Sequence, residues 1–259
     1  MSRATARQVA LVARRSIRRT LRQPALIVPT ISFPLILLAI NASGLSAATK
    51  IPGFPADSFL DFALTVTFMQ GALFAATTAG TELASDVETG FLNRLALTPL
   101  RGAALLIGQL AGAVTVALVG AVTYLTVGLI FGATIKAGVG GAIVLLALAM
   151  LIALGFGSIG AVMALRTGSA EAVQGLFPLL FVVFFLSSMN LPRNLMDIAW
   201  FRTVATWNPI SYLIEGMRSL VISGWDGTAL AKGFGIGAAI VVLGLAGANA
   251  ALRTRLVRT

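Results

Sequence analysis

Six apolar runs, at residues 25–45, 59–81, 103–131, 139–165, 172–189 and 229–252, take up most of this chain. Each is close to or above the ~20 residues that an α-helix needs to cross a hydrocarbon core. A single soluble core could not bury all six, whereas lipid accepts apolar side chains on the outside of a protein. Composition agrees, with 58% hydrophobic and only 11% charged residues, against roughly 25% charged in a soluble domain. The expected fold is an all-α integral membrane domain of six transmembrane helices.

The net charge of +10 would suit a nucleic-acid binder if the charges were spread, but seven of the nineteen basic residues precede Pro24. Lys and Arg beside a first span hold that end on the cytoplasmic side and favour anionic headgroups, so no nucleic-acid partner is expected. Residues 2–23 have helical periodicity, with Val9, Ala10, Ala13, Ile17 and Leu21 on one face and Arg7, Arg14, Arg15, Arg18 and Arg22 on the other. This predicts an amphipathic helix along the cytoplasmic membrane surface. A signal peptide is the alternative, disfavoured by Pro29 and Pro34 inside the next apolar run and by the spans that follow. The expected organisation is an interfacial helix over 1–24, a six-helix domain over 25–252 and a basic cytoplasmic tail over 253–259. An even number of spans returns the C-terminus to the cytoplasm, where the N-terminus lies.

Cysteine and histidine are absent, which removes thiolate nucleophiles, imidazole bases and thiolate metal sites. No catalytic or metal centre is expected. The two prolines of the first span predict a kink, and residues 49–58 read as a loop on the far side. Lys136 and Gly138 mark a tight turn between the third and fourth spans. Gly108 with Gly112, and Gly233 with Gly237, have the four-residue spacing of close helix packing. Phe177, Phe181, Phe184 and Phe185 form a dense aromatic cluster in the fifth span, a candidate lining for a pathway as well as plain packing.

Two polar segments carry more information. Residues 82–102 are too charged for the bilayer interior and read as a returning cytoplasmic loop. Ser85 and Glu88 have capping-box spacing, Asp86 adds charge suited to a helix start, Phe91, Leu92 and Leu95 form an apolar patch, and Thr98 and Pro99 end it. A short helix here would plug a partner's groove or lie flat on its own membrane. Residues 191–228 hold all three tryptophans, Trp200, Trp207 and Trp225, which favour the membrane interface. Asn208 and Pro209 signal a helix start, Ile210, Leu213, Ile214, Met217 and Leu220 share a face, and Glu215 and Arg218 have the spacing of an i, i+3 pair. The segment packs at the outer interface, re-enters the bilayer, or is an ordinary extracellular loop helix.

In order and spacing the chain resembles the permease subunits of ABC-2 type ATP-binding-cassette exporters, the group that includes daunorubicin-resistance permeases and polysaccharide or teichoic-acid exporters. The resemblance rests on the Arg-rich start and on Asp86, Glu88, Gly90, Arg94, Pro99, Arg101 and Gly108. It rests further on Phe177-Pro178, Leu186-Ser187-Ser188, Leu191-Pro192, and Asn208-Pro209 through Tyr212, Glu215 and Arg218. It implies that residues 86–98 are a coupling helix docking on a separate ATP-binding subunit, and that 191–224, with Trp200, Trp207 and Asn208 to Arg218, are extracellular re-entrant helices forming a gate. It also implies a second permease copy or paralogue, a bacterial plasma-membrane location and export, antibiotic resistance included. No G-x-x-x-x-G-K-[ST] loop occurs in the sequence, so ATP and its Mg would belong to the partner. Charged residues are missing from spans three and four and most of span six, which favours an amphipathic, drug-like or lipid-like cargo. Two rivals are weighed against this reading. An ion-coupled secondary transporter needs a buried acid, for which Asp61 is the one candidate, and a membrane-embedded enzyme would have only Ser, Asp or Glu to work with.

Overall fold

The computed structural model describes residues 3–96 and 102–257, and all regular structure among them is helical. In chain order the helices are α1 (Arg3–Leu21), α2 (Pro24–Gly44), α3 (Phe59–Glu88), α4 (Phe91–Ala96), α5 (Gly102–Ile130), α6 (Gly138–Thr167), α7 (Ala170–Phe185), α8 (Ala199–Trp207), α9 (Pro209–Arg218) and α10 (Gly227–Val257). Short 3₁₀ turns at Ser46–Lys50 and Arg193–Leu195 and a π-turn at Ser219–Ser223 complete the set. Helices α2, α3, α5, α6 and α10 are long and apolar enough to cross a membrane. The fifth expected span is shorter, because α7 has 16 residues, about 24 Å.

The early end of α7 has a local cause. The chain turns at Leu186 to Met189, and the carbonyls of Ser188 and Met189 are taken by the Arg218 guanidinium, each at 3.0 Å. A buried cation thus replaces the next helical turn.

Helix α3 is the axis of the bundle, with 89% of its most apolar stretch buried, against 17% for α2 and 22% for α10. Phe62, Leu64, Met69, Leu73 and Leu83 of α3 are sealed from solvent. The closest approach is to α6, where a β-carbon on Gly160 would collide with the Ala76 carbonyl oxygen and lie 2.8 Å from its carbon. Without strong hydrophobic drive between helices in lipid, such small-residue contacts set the packing.

Helix α2 runs through Pro29 and Pro34. Pro34 has no N–H to give the Thr30 carbonyl one turn back. The buried Tyr124 hydroxyl of α5 donates to that carbonyl instead, at 2.6 Å, so a neighbouring helix satisfies the freed group.

The start of α1 and the end of α10 lie at one end of the bundle, here the terminal end, with the last turns of α3 and α6 and the first of α5 and α7. At the opposite, distal end, Asp61 accepts from the Thr134 N–H at 2.8 Å and hydroxyl at 3.1 Å. That pins the turn between α5 and α6. The same turn donates the Lys136 and Ala137 N–H groups to the Val221 and Leu220 carbonyls of the π-turn. Helix α10 continues to Val257, so the basic residues Arg253 and Arg255 are helical, and Arg255 donates to the Leu165 carbonyl at 3.0 Å.

Candidate functional site

At the terminal end, α1 lies along α5 on a face made of small and polar groups. Ser16 and Thr20 are buried, and the pair Gly108 and Gly112 makes room for them. A β-carbon on Gly108 would come 2.6 Å from that of Val12, and one on Gly112 would collide with the Ser16 and Thr20 hydroxyl oxygens. Ser16 donates to the Gln109 carbonyl at 2.8 Å and accepts from the Gly112 N–H at 3.2 Å. The glycine spacing therefore serves an intramolecular contact. The second pair does so too: Gly233 faces Gly216 of α9, and Gly237 meets Leu151 of α6.

The charges at this end converge on two acids of α3. Asp86, with its side chain 3% exposed, accepts both terminal nitrogens of Arg15 at 3.0 and 2.9 Å, one of Arg19 at 2.7 Å, and the Gln109 amide. Glu82 accepts from the Thr20 and Ser16 hydroxyls. A carboxylate met by two guanidiniums and an amide is neutralised where it stands. For this reason α3 runs past the expected boundary at residue 81 and on to Glu88.

This revises the expected coupling helix. Asp86 and Glu88 belong to α3, and no capping box forms: the Ser85 hydroxyl accepts from Arg19 at 3.1 Å, while Glu88 accepts from the Ala170 N–H at 3.1 Å and so ties α3 to the start of α7. Gly90, at φ +66°, takes the left-handed conformation that ends α3. Then comes α4. Its Leu92 is 1% exposed and points into the bundle, so it packs on its own chain instead of offering an apolar knob. Phe91 is half-buried beneath Arg15, whose guanidinium carbon sits 3.7 Å from the ring centroid. Arg94 is exposed and, among the described residues, donates to the Thr89 carbonyl at 3.4 Å. Of Leu95 only its place in α4 is described, and Pro99 and Arg101 lie outside the described residues.

At the distal end α9 is inserted among α3, α6 and α10. Ile210, Leu213, Ile214 and Met217 are buried, as the periodicity predicts. Asn208 caps α9 by accepting from the Ile210 N–H at 2.9 Å, and its amide donates to the Val183 carbonyl of α7 at 2.6 Å. Pro209 takes the first helical position. Helix α8 is the opposite case, held by buried Ala205 and exposing Trp200 and Trp207.

The expected Glu215–Arg218 pair is replaced by longer-range partners. Arg193 binds Glu215 in fork geometry at 2.8 and 2.5 Å, with Ser188 adding a hydroxyl at 3.1 Å. The Tyr212 ring lies under Arg193 at 4.4 Å, and its hydroxyl donates to the Thr206 carbonyl at 2.9 Å. Arg218 turns instead to the Ser188 and Met189 carbonyls and stacks 3.6 Å over Phe62. Burial works against the charge on Arg193, but the Glu215 carboxylate outweighs it and holds the guanidinium above its ordinary pKa. Burial pushes Arg218 down, with Glu215 opposing, and arginine stays protonated throughout.

Between the two ends runs a ladder of rings. Phe177 and Phe181 are 4.6 Å apart, Phe181 is 5.8 Å from Phe184 and 5.9 Å from Phe185, and Phe74 and Phe33 join from α3 and α2. Phe184 is sealed in the core, which removes it from any pathway wall, while Phe185 is exposed. Phe177 borders a cavity of about 410 Å³ between α2, α3 and α7, together with Phe74, Thr77, Thr78 and Gln174.

Sequence reading missed Arg15, Arg19, Gln109 and Arg193 as partners of the named acids. A run of arginines beside a first span has a sufficient explanation in the membrane alone, which hid their pairing. No curated protein matches the sequence. The family model for the ABC-2 type transporter matches residues 7–222, a stretch running from α1 through α9 to the π-turn, and the chain belongs to the ABC-2 type transporter family as one of its membrane-embedded permeases.

Proposed function

We propose that this permease is driven by a separate ATP-binding subunit that docks on α4, and that it exports a hydrophobic or amphipathic cargo from a bacterial cell with both of its own termini in the cytoplasm. The observation that carries this reading is the mounting of α4. Leu92 is driven into the core, Phe91 is clamped by Arg15, and Arg15 holds the same Asp86 that anchors α1 to α3. A push on this short helix is passed to the central helix and to the arginine helix together, without slack. Arg94 is left outward as the charge that orients the dock.

The sparsely buried α2 and the exposed Leu179, Val182 and Phe185 of α7 supply the face for a second copy or paralogue. The cavity beside Phe177 and the ring ladder suit an apolar cargo with a few hydrogen-bonding groups. Against the ion-coupled alternative, both Asp61 oxygens accept from Thr134 at the distal end of the bundle.

Arg94→Glu is expected to cut the amount of a P-loop ATPase co-purified in mild detergent to about a tenth or less, the usual cost of reversing a charge at a contact. Arg14→Glu, on the exposed face of α1, should leave it unchanged. Full retention in Arg94→Glu would move the dock elsewhere, and an ATPase absent from the wild-type sample would remove the proposal.

A further inference from the structure

The distal end holds a cavity of about 460 Å³ whose wall includes Pro55, Pro192, Arg193, Glu215, Arg218 and Ser223. Its acids are already engaged. Glu215 is gripped at both oxygens by Arg193 and receives Ser188 as well. Asp226, on the same wall, caps the first turn of α10 by accepting from the Thr228 and Ala229 N–H groups at 2.9 and 3.0 Å. Arg218 is in the reverse position. It is 6% exposed, the ion pairs among the described residues do not include it, and its terminal nitrogens meet only neutral carbonyls. Its Nε is buried with no acceptor.

Buried polar atoms are nearly always satisfied, and a guanidinium taken out of water without an anion is costly. Neither carboxylate of this wall hydrogen-bonds Arg218, and a second guanidinium, that of Arg193, stands at the same cavity. Arginine forks match phosphate geometry, and the volume exceeds what a bare phosphate fills.

We propose that the distal cavity is a phosphate-binding site, taking either the free ion or the phosphate at the head of a lipid, with Arg218 as the principal ligand and Arg193 beside it. The site stands apart from the α4 dock. Its test involves neither an ATPase nor transport, so its failure would leave the docking proposal intact and the reverse also holds.

The purified full chain in uncharged detergent would be titrated calorimetrically with inorganic phosphate and, separately, with dihexanoyl phosphatidic acid. Saturable binding of at least one is expected. Binding of both assigns the site to phosphate in general, and binding of the phosphatidic acid alone assigns it to a lipid headgroup. Ser223→Asp, an exposed position on the cavity wall, places a carboxylate where the ligand's charge would sit. It should raise Kd more than about tenfold, as should Arg218→Gln. No saturable heat from either ligand at millimolar concentration would overturn the proposal. So would binding that Ser223→Asp leaves unchanged, even if Arg218→Gln abolished it through misfolding.

Discussion

Gly160→Val is expected to prevent the bundle from assembling. The added β-carbon would run into the backbone of Ala76, with the carbonyl carbon 2.8 Å away and the α-carbon 3.2 Å away. Overpacking that flexible side chains can absorb costs roughly 1–3 kcal/mol, but a main-chain carbonyl in the middle of the most buried helix has nowhere to go. More than about 3 kcal/mol should be lost, because α3 and α6 would have to separate along their whole contact. Size-exclusion chromatography of a fluorescent fusion in detergent should show the monodisperse peak replaced by aggregate. Gly175→Ala is the control, since a β-carbon there meets nothing within 4 Å, and it should elute as wild type. A normal peak and unfolding midpoint for Gly160→Val would show that α3 and α6 do not cross where they are placed here.

Asp86→Ala is expected to release α1. The substitution strands Arg15, Arg19 and the Gln109 amide at once. Breaking a buried ion pair costs about 3–5 kcal/mol. The arginine side chains keep 37% and 26% exposure and can turn to water, so the lower end, about 3 kcal/mol, applies. Because the chain has no cysteine, Thr20→Cys provides a clean reporter at a wholly buried position of the α1–α5 contact. Maleimide labelling of that thiol should be slow alone and about a hundredfold faster when Asp86→Ala is added, the ratio that ~3 kcal/mol implies for local opening. Glu82→Gln should have a small effect in the same background, because its amide oxygen still accepts from Ser16. Equal labelling with and without Asp86 would mean that the carboxylate does not hold α1.

Spans α2, α3, α5, α6 and α10 were legible because hydropathy over 20 residues is a strong and local signal. The inward face of α9 was legible because a 3.6-residue period survives in a bundle as well as in a soluble core. Tertiary partners of the charges were not. The arginines of α1 repeat along a face in a way that membrane adsorption explains, so nothing local told Arg15 and Arg19, which reach Asp86, from Arg14 and Arg18, which face outward. Ser16 and Thr20 carry almost no weight in a hydrophobic pattern, yet small hydroxyl residues are what let helices in lipid approach and bond. The capping-box spacing at Ser85 and Glu88 misled for a related reason: the spacing is real, but once α1 neutralises Asp86 the preceding helix has no cause to stop. Glu215 and Arg218 take other partners than each other, because a local i, i+3 contact competes poorly with a bidentate partner 22 residues away.

In the proposed function, energy enters this permease through α4 from a separate ATPase at the end of the bundle where α1 starts and α10 finishes. A photo-crosslinking amino acid placed in living cells at position 94, in place of the exposed Arg94, tests it most directly, with the same probe in place of Trp207 at the distal end as its counterpart. The account predicts that position 94 captures a polypeptide carrying a G-x-x-x-x-G-K-[ST] loop and that position 207 does not. Capture of such an ATPase from position 207, or from neither position, would contradict it.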